Sequence, residues 1–164
     1  MNRHPQDNEA LLRTLLAGGF EFAIVGGVAA VLHGATRMTV ALDVLAPFTE
    51  ANLQRLLDAL APHDPRHATR PDLSLLGETT KRLAGFRMIL IESRLGRLDV
   101  LPEQPPIGDY DKVDKVDMTM LGHTVKVISR DHLIAVKRAL PRPRDRRDAV
   151  ELEAAKRRDE SGCV

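Results

Sequence analysis

Cysteine is nearly missing from this 164-residue chain; the one copy, Cys163, stands next to the last residue. That excludes a disulfide framework and a cysteine-based metal site, and it fits a reducing compartment, expected to be the cytoplasm. Aromatic residues make up only 3% and tryptophan is absent, which argues against the base-stacking platforms of single-strand nucleic-acid binders. An excess of one charge is missing too. The 24 Lys+Arg and 23 Asp+Glu leave +1, which excludes a globally basic DNA-coating protein but not a local basic patch. No stretch reaches the ~18 uncharged apolar residues of a membrane span. Residues 22–36 come nearest and hold three glycines and a histidine. The polar start Met-Asn-Arg-His-Pro-Gln-Asp is unlike a signal peptide, and no membrane partner is expected. What is present, 43% hydrophobic and 29% charged residues, suits one domain over 1–164 with a real core.

Periodicity gives the order of elements. Asp7 or Asn8 caps a helix to residue 17, with Leu11, Leu12, Leu15 and Leu16 as its apolar stripe and Gly18-Gly19 as its end. Residues 20–25 read as a buried strand, broken by Gly26-Gly27, and 28–33 as a short helix closed by Gly34. Residues 40–46 read as a strand, and Thr49 caps a helix over 50–60. The Pro-, His- and Arg-rich stretch 62–81 reads as a mobile connection. Strands over 86–92 and 97–101 flank a hairpin turn, 102–108 is a proline-rich loop, and strands over 116–120 and 124–128 form a second hairpin. Ser129 caps a helix to residue 140, Pro141 and Pro143 break the chain, and a last helix runs from about 145 to 158. The fold class is therefore α+β or α/β-like: a mixed sheet core over about 20–128 with helices packed on it, then a helical pair over about 129–158.

Two features carry chemistry. Gly26-Gly27 lies between a strand and a helix, where glycine lets a backbone approach a ligand and a helix N-terminus favours an anion. A plain tight turn is the alternative. The pair lacks the ending of a Walker loop and the third glycine of a dinucleotide fingerprint. In strand 40–46, Val40, Leu42 and Val44 share one face and Ala41, Asp43 and Leu45 the other. A carboxylate inside an apolar strand is costly unless it binds something. Asp99 has the same setting in Arg97-Leu-Asp-Val-Leu101. Two carboxylates facing one way on neighbouring strands offer a divalent cation hard oxygen ligands. The alternative for each is an ion pair with Arg37, Arg94 or Arg97.

The stretch Phe22-Ala-Ile-Val-Gly-Gly-Val-Ala-Ala-Val-Leu-His-Gly34, then Arg37-x-Thr39 and a strand with Asp43, resembles the nucleotidyltransferase superfamily. The likeness continues through Gly96-Arg-Leu-Asp-Val-Leu101, Ser129 to Lys137 and Arg142-Pro-Arg-Asp-Arg-Arg-Asp148, covering about residues 10–155. It is nearest to the minimal bacterial branch that includes abortive-infection type IV toxins. The resemblance implies a nucleotidyltransferase fold in which Gly26 and Gly27 hold nucleotide phosphates, and Asp43 and Asp99 bind Mg2+ (or Mn2+) beside a third carboxylate. That further carboxylate, the first of the set in chain order, belongs at position 41, where this chain has Ala41. Two-metal phosphoryl transfer needs all its carboxylates, so transfer should fall by orders of magnitude. Either an aspartate has been replaced at 41 and the chain is disabled, or the protein is a natural pseudoenzyme. Alanine gains little on a face turned to a pocket, which favours replacement.

Lys137, Arg138, Arg142, Arg144, Arg146 and Arg147 form a basic run opposed only by Asp145. Cations at a helix C-terminus explain the first two. The resemblance puts Lys137 at the triphosphate with Arg144 and its neighbours assisting, and Arg37 at a phosphate or on Asp43. Asp145 and Asp148 are expected to cap the last helix and orient the arginines. The implied activity moves a nucleoside monophosphate from a nucleoside triphosphate to a hydroxyl of RNA (transfer RNA ends included), of a protein or of a small molecule such as an aminoglycoside. The short chain favours a toxin that acts on a macromolecule and is held in check by a cognate antitoxin. The rival is a non-catalytic module binding nucleotide, RNA or a partner protein. His63 and His67 are not read as a metal pair, nor Asp109, Asp111, Asp114 and Asp117 as a calcium loop, since the last four lack its glycine and closing glutamate.

Overall fold

The computed structural model describes residues 4–39 and 41–162. Over these residues run ten strands and six α-helices: α1 (Asn8–Ala17), β1 (Ala23–Val25), α2 (Gly26–Leu32), β2 (Leu42–Leu45), α3 (Glu50–Leu60), β3 (Arg66–His67), β4 (Arg70–Ser74), α4 (Thr80–Leu83), β5 (Ile89–Ser93), β6 (Gly96–Leu101), β7 (Glu103–Gln104), β8 (Gly108–Asp109), β9 (Lys115–Met120), β10 (His123–Ile128), α5 (Arg130–Ala139) and α6 (Pro143–Glu160). Eight strands form one mixed sheet in the order β4-β3-β5-β6-β2-β1-β10-β9, and β7 and β8 pair separately. The pairs β2/β6 and β1/β10 are parallel, and the other pairs are antiparallel. This is the expected α+β architecture.

Local chemistry explains the helix starts. Asp7, Thr49 and Ser129 each accept a backbone N–H from the first turn of α1, α3 and α5. The leucine stripes of α1 and α3 then bury Leu11, Leu12, Leu15, Leu53, Leu56 and Leu60 completely. Asn52, 2% exposed, ties the approach to β1 to the exit of β2. Its side chain accepts from the Glu21 N–H at 2.8 Å and donates to the carbonyls of Glu21 and Pro47 at 3.0 Å each.

Several boundaries differ from the sequence reading. The first strand is Ala23–Val25 rather than 20–25, and α2 begins on the glycines themselves. The second strand is Leu42–Leu45; Ala41 is a bend before it, and Val40, like Cys163, lies outside the described residues. The expected connection 62–81 instead holds β3, β4 and the start of α4, because Arg66 and His67 find backbone partners at Glu92 and Ile91 of β5. The loop 102–108 contributes to the small β7/β8 sheet. Pro143 opens α6 rather than breaking the chain, since the first helical position needs no donor.

The sheet buries one face more than the other at β5 and β6. Ile89, Ile91, Leu98 and Val100 are fully buried, whereas Leu90, Glu92, Arg97 and Asp99 between them are half-exposed. α5 packs on α6 and on α2, which leaves the half-exposed face looking into a cavity.

Candidate active site

Asp43 and Asp99 are register partners on the parallel strands β2 and β6, so both carboxylates leave the sheet on one side, side by side. A cavity of about 850 Å³ opens there. Its lining brings together Gly26, Gly27, Arg37, Asp43, Asp99, Lys137 and Arg144. Ala41 is not part of that lining, and its carbonyl accepts from the Thr39 hydroxyl at 3.4 Å. One wall is apolar, with Phe86, Met88, Leu90, Leu133 and Leu140, and the rim adds Arg87 and Arg142.

The glycines are explained by what lies over them. Gly26 has φ +66°, and a Cβ there would stand 2.9 Å from the Cβ of Asp43. A Cβ on Gly27 would meet the Thr39 hydroxyl at 2.9 Å and the Arg37 guanidinium at 3.2 Å. The pair thus lets β2 and the loop before it close over the start of α2.

The two carboxylates differ. Asp99 Oδ1 accepts from Arg97 Nε at 2.7 Å, so one of the ion pairs weighed as an alternative is formed. Asp43 Oδ1 is buried and has no hydrogen-bond partner among the described residues. Burial, and then the charge of Asp99, push the Asp43 carboxyl up to about 6 against the pull of Lys137, Arg97 and Arg37. A buried, unpartnered carboxylate oxygen beside a second carboxylate fits a hard divalent cation. It fits one held by two carboxylates with other oxygens completing its shell. Among the described residues no group of three or more His, Cys, Asp or Glu side chains is gathered as a metal cage.

The basic run has a buried anchor. Lys137 is 4% exposed, and its ammonium lies 3.1 Å from Asp145 and 3.0 Å from Asp148. Asp148 also accepts from Arg37 at 2.7 Å, and Asp145 from Arg142 at 2.5 Å. Burial works to raise the Asp145 carboxyl, but the hydrogen bonds from Arg142 and Lys137 outweigh it and hold the group below its usual range. The aspartates therefore orient the basic residues as expected. They do not cap α6, whose start at Arg142 has no side-chain cap. Elsewhere, His67 faces Glu78 at 3.1 Å, and Asp109, Asp111, Asp114 and Asp117 lie exposed, with Asp117 paired to Lys126 at 2.8 Å. The sequence reading does not single out the apolar wall. The Arg97–Asp99 pair has a signal in the i, i+2 spacing that puts both on one strand face.

No protein-family model matches the chain, and no curated protein matches it in sequence. Solved structures do match in shape. The lincosamide antibiotic adenylyltransferase LnuA, bound to lincomycin, superposes with a TM-score of 0.59 at 13% identity, covering 93% of this chain and 99% of its own. The chain has the nucleotidyltransferase fold. An antigenic nucleotidyltransferase-like protein from Paracoccidioides brasiliensis shares that fold with a TM-score of 0.56 at 18% identity, over 90% of this chain and 77% of its own. So does ANT(2")-Ia in complex with adenylyl-2"-tobramycin, with a TM-score of 0.54 at 16% identity over 96% and 99%. Among the described residues, no helix of this nucleotidyltransferase fold is long and apolar enough to cross a membrane.

Proposed function

We propose that the chain takes a nucleoside triphosphate in the cavity beside Asp43 and Asp99 and belongs to a lineage that moves the nucleoside monophosphate to a hydroxyl, releasing pyrophosphate. The observation that carries this reading is the pair of carboxylates in register on parallel strands, one with a buried unpartnered oxygen, in the lining of a basic cavity. Asp43 and Asp99 are the residues that would hold Mg2+ or Mn2+, which supplies Lewis-acid charge at the reacting phosphate when bound. Arg142 and Arg144 stand at the rim to meet phosphate oxygens, and Arg37 is held toward the cavity by Asp148. Lys137 lends positive potential from behind, its ammonium being engaged by two aspartates. Gly26 and Gly27 keep the backbone low enough for Asp43 to reach the cavity. With Ala at 41 the carboxylate set is short by one, so transfer by this chain is attenuated or absent.

The acceptor in this reading is a hydroxyl of RNA, transfer RNA ends included, or of a protein, with a toxin role and a cognate antitoxin partner. The antibiotics named with LnuA and ANT(2")-Ia make a small hydroxylated molecule a further acceptor to include in the test. The test pairs this chain with Ala41→Asp, each incubated with α-labelled nucleoside triphosphates, Mg2+ or Mn2+, a cell extract of RNA and protein, and an aminoglycoside. Label on one acceptor class from Ala41→Asp, lost again on Asp99→Asn, supports transfer and names the class. A second reading has its own observation: Arg97 already occupies Asp99, and position 41 offers no carboxylate. It makes the protein a non-catalytic binder of nucleotide, RNA or a partner. No label from either protein, with nucleotide bound by both, selects it.

A further inference from the structure

Among the described residues, Arg97 is the one cation hydrogen-bonded to either member of the carboxylate pair, and the fold holds it there. Its main chain is clamped by Gln6, whose side-chain amide donates to the Arg97 carbonyl at 2.8 Å and accepts from the Arg97 N–H at 2.7 Å. The side chain starts from that pinned point and runs along the half-exposed face of β6 to Asp99 Oδ1, 2.7 Å from Nε. Arg97 and Asp99 are 32% and 20% exposed, so the pair is only partly screened by water. The β2/β6 register pairs Leu42 with Leu98 and Asp43 with Asp99. Ala41 precedes this register as a bend, next in the chain to Leu42, whose partner Leu98 follows Arg97. A carboxylate introduced at 41 would therefore enter near Arg97 as well as near Asp43.

We propose that Arg97 sets the divalent-cation affinity of this cavity: its guanidinium holds Asp99 Oδ1, so a cation drawn to the carboxylate pair competes with it. Asp43, with its unpartnered Oδ1, is the resident half of the site, and Asp99 offers both of its oxygens to a cation only when Arg97 lets go. The same geometry makes the deficit at Ala41 a two-residue property. Restoring a carboxylate there offers Arg97 a second anion before it offers a metal a second ligand. This inference rests on the metal-site reading given under the proposed function.

The test is a titration of Mn2+ alone, followed by the loss of its free-ion paramagnetic signal, against the full chain and its Arg97→Gln, Arg97→Lys, Ala41→Asp and Ala41→Asp/Arg97→Gln forms. Arg97→Gln should bind Mn2+ about fivefold more tightly than the parent, the scale of one partly exposed ion pair released. Arg97→Lys, which keeps the competing charge, should stay near the parent. The double variant should gain more than the sum of the two singles in free energy, because the carboxylate introduced at position 41 is then free of Arg97. If Arg97→Gln does not fold, Arg97→Met, which keeps an unbranched stem on the strand, takes its place. A folded Arg97→Gln that binds Mn2+ no better than a parent that does bind it overturns the role of Arg97 and leaves the metal site standing. Absence of Mn2+ binding by every form, the double variant included, overturns both.

Discussion

Replacing Lys137 by Met tests whether the basic run is anchored inside the fold or displayed to a ligand. Lys137 is 4% exposed, and its ammonium lies within 3.1 Å of Asp145 and Asp148, which are 0% and 2% exposed. Removing one partner from a buried ion pair typically costs about 3–5 kcal/mol, because a charge is left without compensation. Here each aspartate keeps a second partner, Arg142 on Asp145 and Arg37 on Asp148, which puts the loss at the lower end, about 3 kcal/mol. For a chain of this size that lowers Tm by about 6–12 °C. Urea unfolding followed by circular dichroism at neutral pH reads the loss as a shift in midpoint with an unchanged slope. The sign with pH follows from Asp145, whose carboxyl is held below its usual value. Its contribution is present above the ordinary carboxylate range and is lost as pH falls through its lowered folded value, so the two proteins should converge in strong acid. A loss below about 1 kcal/mol at neutral pH would refute the reasoning, since it would mean that water, not Lys137, satisfies these aspartates.

Asp43→Asn should stabilise the fold near neutral pH. The Asp43 carboxyl stands at about 6 against an ordinary 3.8, so between those values the folded chain holds a proton that the unfolded chain releases. Ionised Asp43 therefore costs stability above about pH 6, by at most about 3 kcal/mol, and costs nothing below about pH 4. Tm measured against pH should show the variant above the parent near pH 8 and the two equal near pH 4, as the linkage requires; a variant less stable at about pH 8 contradicts the assignment. Gly26→Ala forces a side chain into φ +66° and sets its Cβ 2.9 Å from that of Asp43. It should cost about 2–4 kcal/mol in urea unfolding and weaken any cation bound through Asp43, and a loss within about 0.5 kcal/mol would show that β2 can yield.

The features legible in the sequence are those set within a few residues. Asp7, Thr49 and Ser129 announce helices because a side-chain oxygen reaches an N–H in the following turn, and that geometry is local. Asp43 and Asp99 are conspicuous because a charge inside an apolar strand has few structural uses. That they face one way on neighbouring strands is read from their like settings, but their exact register, across a long intervening stretch of chain, is a property of the sheet. The β3–β4 hairpin is hidden because β4 is mostly exposed and contains Pro71, and its stability comes from the pairing of β3 with distant β5. Pro143 carries two opposite meanings, breaker within a helix and preferred residue at its first turn, and only the packing of α6 on α5 selects the second. The basic run is visible as charge, but which cations turn inward depends on Asp145 and Asp148 being buried behind it.

A nucleotide site built by Asp43 and Asp99 through a shared divalent cation has a direct signature in binding. Calorimetric titration of nucleoside triphosphates into the full chain, with Mg2+ and with the metal chelated, and into Asp43→Asn, reads it. The expected result is binding with Mg2+ that weakens by about tenfold or more on chelation and to a similar degree in Asp43→Asn. Binding that ignores both the metal and the substitution, or none by either this chain or Ala41→Asp, would contradict the shared-cation site.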